Sequence, residues 1–179
     1  MMLNKLEQNK ILLRSVVSKK LKKKEIEDIC HLKDMEWKFG LRSQIKWYNQ
    51  NIKKSDIHNL LYIQKKLIGY TLLRKRSYKA GNQNFEKKYL LFDTLIIDKL
   101  YRKKKYSNLL MKFNNKVIKK KGFFSFLICG KKLILFYKKN NWKKLNKKSI
   151  NIVDHTFSSY GMIYNNKKKC KKYFFNINR

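Results

Sequence analysis

Residues 88–98, KYLLFDTLIID, form the densest apolar run in the chain, broken internally only by Asp93 and Thr94. A run this long, rich in branched and aromatic side chains, reads as a strand buried on both faces. Such a strand belongs in the middle of a sheet with other elements packed above and below it. That requirement points to layered helices and strands. The next segments fit. Residues 103–120 place Leu109, Leu110, Phe113 and Val117 at helical spacing, and FFSFLIC (123–129) is a second buried strand.

Upstream, ILLRSVV (11–17) predicts a first strand. Ile26, Ile29, Cys30, Met35 and Trp37 mark a helix over 22–38, which Gly40 ends. A second helix over 41–52 carries Leu41, Ile45 and Tyr48 on one side, with Trp47 beside them. HNLLYIQ and LIGYTLLR then form a hairpin turning at Lys65–Lys66, followed by a polar loop over 79–86. A short helix at 131–140, a strand beginning at Trp142 and a last strand at 159–164 complete the order. Neither a repeat nor a Gly/Ser/Pro linker divides the chain. The expectation is one mixed α+β domain over 1–166, with a mostly antiparallel, twisted central sheet of six to seven strands and about four helices. Residues 167–179 follow as a basic tail or an edge strand.

Composition narrows the function classes. The 179 residues hold 46 Lys+Arg against 11 Asp+Glu, a formal charge of +35. With 43% hydrophobic and 14% aromatic residues there is material for a core, which excludes a disordered chain. Cys30, Cys129 and Cys170 are odd in number and irregular in spacing, so neither a disulfide scaffold nor a zinc pattern is present. The N-terminus lacks the unbroken apolar stretch of a signal peptide, and no apolar run is long enough to insert into a membrane. A cytoplasmic protein with reduced thiols is expected. The charge invites a nucleic-acid partner. Yet proline is absent, Ala80 is the single alanine, and Lys, Asn, Ile, Phe and Tyr recur throughout, the profile of an A/T-rich coding sequence. The lysines are scattered through the chain, so non-specific polyanion binding and a drifted, solvated surface both remain open.

Three segments arrive in a meaningful order: the strand ending LFDTLIID, the run Arg102-Lys103-Lys104-Lys105-Tyr106-Ser107 at a helix start, and Phe136-Tyr137 followed by Trp142. A strand entering a helix N-terminus presents unpaired amides and the positive end of the helix dipole, a ready anion site. Over about 58–146, and more loosely over 11–52, the chain resembles the GCN5-related N-acetyltransferase superfamily. There the strand is followed by Arg/Gln-x-x-Gly-x-Gly/Ala, whose amides hold the coenzyme A pyrophosphate. Arg102 is kept, while Lys105 and Ser107 stand at the glycine positions. The closing pattern FY-x-x-x-G-F is matched by Phe136, Tyr137 and Trp142, with Asn141 at the glycine, a residue that tolerates left-handed backbone.

The resemblance implies an acetyl-CoA-dependent N-acetyltransferase acting on a primary amine, with no metal. Leu95, Ile96 and Ile97 would bind the pantetheine arm through their backbone, and Arg102–Ser107 with Asn108 would hold the phosphates. Tyr137 would protonate the departing thiolate, or else it is a core tyrosine. Asp93 would be the general base, or equally a structural acid paired with a nearby lysine. Trp37 and Arg42 in the helix pair and His155 in the loop before the last strand would border the acceptor. His58 is either a base or an edge histidine. The acceptor implied is a small amine such as an amino sugar, one that the basic surface would favour if anionic; a homodimer stays open. A basic RNA- or ribosome-associated module without catalysis is the alternative, as is an acetyltransferase fold with a degenerate donor site.

Overall fold

The apolar run at 88–98 is strand β4, Lys87–Ile97, in which Tyr89 to Phe92 are buried in succession. A computed structural model describes residues 11–81, 83, 85–167 and 170–178. Before β4 come β1 (Ile11–Val17), helices α1 (Lys23–Trp37) and α2 (Leu41–Asn51), β2 (Ile57–Ile63) and β3 (Lys66–Ala80). After it come α3 (Tyr106–Lys120), β5 (Ser125–Cys129), α4 (Ile134–Lys139), β6 (Lys143–Lys144), β7 (Ile150–Ile152), β8 (Tyr160–Tyr164) and β9 (Tyr173–Phe175). Hydrogen bonding orders the strands β1-β2-β3-β4-β5-β8-β6, and β9 pairs with both β3 and β7. The β4–β5 and β7–β9 ladders are parallel, while β1–β2, β3–β9, β5–β8 and β6–β8 are antiparallel. The mixed α+β class and mostly antiparallel sheet are as expected. Among the described residues nine strands stand where six to seven were expected, because β6, β7 and β9 are two or three residues long, too short for a readable alternation.

The residues divide into two compact units, Met1–Leu72 with Thr94–Asn114 and Leu73–Asp93 with Asn115–Arg179. In the first, the β2–β3 hairpin turns at Gln64 and Lys65, whose φ values of 49° and 65° are both left-handed. That pair of signs belongs to the tight turn whose twist matches the flanking strands. Leu60 joins Ile29 and Leu32 of α1 with Tyr70, Leu72 and Ile96, whereas its neighbour Leu61 joins Ile63, Ile68, Ile97 and Leu110 of α3. Alternate residues of β2 thus feed opposite faces, as a strand requires. Across the interior, Asn114 of α3 accepts hydrogen bonds from Asn59 (2.8 Å) and Thr71 (3.0 Å), tying the helix to both strands.

The second unit is built on aromatics. Phe126 of β5 stacks on Phe175 of β9 with centroids 3.8 Å apart, and Tyr89, Tyr173, Ile150 and Ile163 complete the cluster. Trp142 is buried, its indole donating to Asn115 at 3.1 Å. The segment read from sequence as a basic tail or edge strand is, at Tyr173–Phe175, a strand with a neighbour on each side. Tyr173 and Phe175 point inward, so burying them fixes the segment. The expected loop at 79–86 is shorter, because β3 runs on to Ala80 to meet β9. No described helix is long and apolar enough to cross a membrane.

Candidate functional site

In the first unit, the end of β4 is tied off before the chain enters α3. Asp98 accepts the Leu100 amide at 3.0 Å and closes a single turn over Lys99–Tyr101. Arg102 then donates through Nε to the carbonyl of Ile97 at 3.0 Å and pairs with Glu36 of α1. Arg102, which the resemblance places at the head of the phosphate loop, is braced between the strand end and α1. Lys103 and Lys105 follow, both at φ 63°. The backbone at Lys105 adopts the left-handed conformation that glycine would take at that position. Leu109 donates to the Lys105 carbonyl at 3.1 Å, and the amides of Tyr106 and Ser107 come before it at the start of α3. A 15-residue helix, its first-turn amides and three exposed lysines thus share one loop. Such a cradle fits a polyphosphate, since amide donors and dipole act together. The side chains of Ile96 and Ile97 pack into the core and Leu95 is half-buried.

Trp37 and Arg42 lie where α1 ends and α2 begins. Trp37 is 41% exposed with the Lys33 ammonium 5.9 Å from its ring, and Arg42 faces solvent. Trp47 instead joins the α1 core cluster, under Lys33 at 3.6 Å. His58 is wholly buried: Nδ1 lies 2.8 Å from the Tyr70 hydroxyl and Nε2 2.8 Å from Ser18 Oγ. Burial, then the charge of Lys33, pushes its pKa down to about 3. It is a neutral core histidine, neither at an edge nor placed as a base.

In the second unit, the β4–β5 ladder is confined to Leu90 with Ser125 and Leu91 with Phe126. Phe92 and Asp93 run on beyond it. Asp93 pairs with Arg74 of β3 at 3.1 Å, the arginine side chain 8% exposed and the carboxylate 27%. Beside the pair is a small cavity of about 120 Å³, bounded also by Phe92, Ile128, Ile177 and Asn178. His155 lies close to the chain terminus, with Nε2 2.8 Å from the amide nitrogen of Asn178. Tyr137 is buried on α4, its ring edge-on to Phe92 and Phe136. Burial, and secondarily Cys129, pushes its phenol up, so it carries its proton at neutral pH. Its carbonyl accepts from both Asn140 and Trp142, a closure made through Asn141 at φ 66°, as its place in the sequence pattern predicted.

Sequence reasoning missed Arg74, Ile177 and Asn178. Arg74 had a signal, the first cation after the apolar stretch LIGYTLL and the head of the run Arg74-Lys75-Arg76; Ile177 and Asn178 had none. Among the described residues no cluster of His, Cys, Asp and Glu is placed to hold a metal ion.

No protein-family model and no curated protein matches the chain. Solved structures do. Escherichia coli ElaA is similar with a TM-score of 0.62 at 13% identity, over 86% of this chain and 99% of ElaA. An acyl-CoA N-acyltransferase from Pseudomonas aeruginosa gives 0.63 at 10% identity, over 86% and 99%. The PaiA N-acetyltransferase of Thermoplasma acidophilum, solved in complex with coenzyme A, gives 0.55 at 19% identity, over 86% and 98%. The chain has the fold of the GCN5-related N-acetyltransferases.

Proposed function

We propose that the protein is an acetyl-CoA-dependent N-acetyltransferase whose acceptor is a small primary amine. One observation carries this reading: the loop Arg102–Lys105 delivers the chain into the N-terminus of α3 through two left-handed lysines, Lys103 and Lys105. The amides of Tyr106, Ser107 and Asn108 would receive the coenzyme A phosphates, and Lys103, Lys104 and Lys105 would offset their charge. The fold supports the same reading, and PaiA, which shares it, was solved with coenzyme A.

Acetyl-CoA supplies an activated thioester. This chain's residues would hold it, deprotonate the amine and return a proton to sulfur. The backbone of Leu95–Ile97 would line the pantetheine arm, an amide there stabilising the oxygen on which charge develops. The amine nitrogen forms its bond to the carbonyl carbon as the carbon–sulfur bond breaks. On the family resemblance, Asp93 would take the amine proton and the Tyr137 phenol would give one to the thiolate.

Thermal unfolding at an ionic strength of about 0.3 M tests the donor site, because loose attraction of polyphosphates is then heavily screened. Acetyl-CoA at about 100 times its dissociation constant should add about 2.7 kcal/mol of stability, while ATP adds far less. Equal shifts would mean that the loop holds any polyphosphate. No shift with acetyl-CoA would leave a fold whose donor site is degenerate.

A further inference from the structure

We infer that Ile177 and Asn178 wall an acceptor pocket that admits a primary ammonium on a slender, unbranched arm. The inference rests on the acetyltransferase reading and adds the shape and chemistry of the substrate. The cavity beside Asp93 is about 120 Å³. At about 30 Å³ per water that is room for about four non-hydrogen atoms, an amine with three carbons. Its polar lining favours a cation. Arg74 is committed to Asp93 and nearly buried, whereas the carboxylate is 27% exposed, so the accessible charge is negative. Phe92, Ile128 and Ile177 supply apolar walls for methylenes.

Asn178 completes the recognition. An Asn side-chain nitrogen only donates, so its 2.8 Å contact makes His155 Nε2 the acceptor. One of the two amide hydrogens goes to His155, and the Asn178 oxygen would accept from an ammonium in the cavity. His155 is on this account a positioning residue acting through Asn178. The terminus that carries Asn178 is itself anchored: Tyr89 donates to the Asn176 carbonyl at 3.0 Å, the Asn176 amide donates to Ser77 at 2.9 Å, and Ile177 packs on the aromatic cluster.

The test separates binding from turnover. In amide NMR spectra of the full chain, n-propylamine should shift the side-chain amide of Asn178, and tert-butylamine should not. With acetyl-CoA present, thiol release should be faster with n-propylamine. Asn178→Ala should raise the KM for n-propylamine about tenfold while kcat and the KM for acetyl-CoA stay within about twofold, the loss expected for one hydrogen bond to a charged group. His155→Gln, which keeps an acceptor, should retain most of the affinity that His155→Phe loses. Ile177→Ala should admit tert-butylamine. If n-propylamine leaves Asn178 unshifted, the pocket assignment is wrong, whether or not acetyl transfer occurs. If Asn178 shifts but no thiol is released, the pocket stands and the acetyltransferase reading falls. Equal shifts with both amines, or a drop in kcat with KM unchanged in Asn178→Ala, would also overturn the assignment.

Discussion

His58 makes two hydrogen bonds through one neutral ring, and its partners decide the tautomer. Ser18 Oγ donates to the Asp56 carbonyl at 3.1 Å, so towards His58 it can only accept. Nε2 therefore carries the proton and Nδ1 accepts from Tyr70. A proton added to Nδ1 would face the Tyr70 hydroxyl inside the core, near the charge of Lys33. Since the folded pKa, about 3, lies below the ordinary 6.5, the unfolded chain binds that proton more readily. The stabilisation is complete above pH 6.5 and is lost as pH falls towards 3. Urea unfolding at about pH 7.5 and about pH 4.5 should differ by about 3 kcal/mol from this residue alone, a slope that His58→Gln should flatten. An unchanged slope in that variant would assign the acid sensitivity to other groups.

At the scale of elements, two sites test how tightly the secondary structure is set. Lys105 begins α3 from a left-handed backbone that costs an L-residue roughly 1–2 kcal/mol, against roughly 0.5–1 kcal/mol of extra chain entropy for glycine. Lys105→Gly should therefore leave stability unchanged or raise it by up to about 1 kcal/mol in urea unfolding. A clear loss would mean that the lysine side chain itself holds the loop. Gly161 on β8 is the opposite case. A Cβ there would sit 2.5 Å from Ile150 Cδ1 and 2.7 Å from Phe126 Cε2, and Phe126 is held by its stack on Phe175. Gly161→Ala should cost about 1–3 kcal/mol by overpacking, while Gly130→Ala, with nothing within 4 Å, should be near neutral. Equal midpoints for the two variants would show that the aromatic cluster yields.

For the whole molecule the dominant quantity is charge. At +35, with lysines spread along the chain, the charge predicts that polyanions bind through counterion release. Binding of a random-sequence RNA should weaken by about a hundredfold or more between about 50 and about 200 mM salt. Acetyl-CoA held by the α3 loop should lose far less over that range, because directed amide bonds do not depend on released counterions. An RNA affinity that resisted salt would point to a built nucleic-acid site and favour the basic-module reading.

Much of this was legible in one dimension. β1 spans 11–17 as expected, α1 and α2 fall within a residue or so of their predicted limits, and the run at 88–98 is the long strand β4. Local physics sufficed there, because each of these elements has its own hydrophobic period or its own breaker. The order of strand, lysine-rich helix start and Phe136-Tyr137 carried the resemblance to the acetyltransferase superfamily, and that resemblance implied the fold. Only tertiary structure decided the rest. β9 is three residues whose partners, Tyr78–Ala80 and Ile150–Ile152, are distant in sequence, so nothing local marks it as a strand. The pairing of Asp93 with Arg74, the bracing of Arg102 against Glu36 and the approach of Asn178 to His155 are all long-range choices among many available cations and amides. In a chain with 46 lysines and arginines, composition cannot say which one a carboxylate selects; distance after folding does.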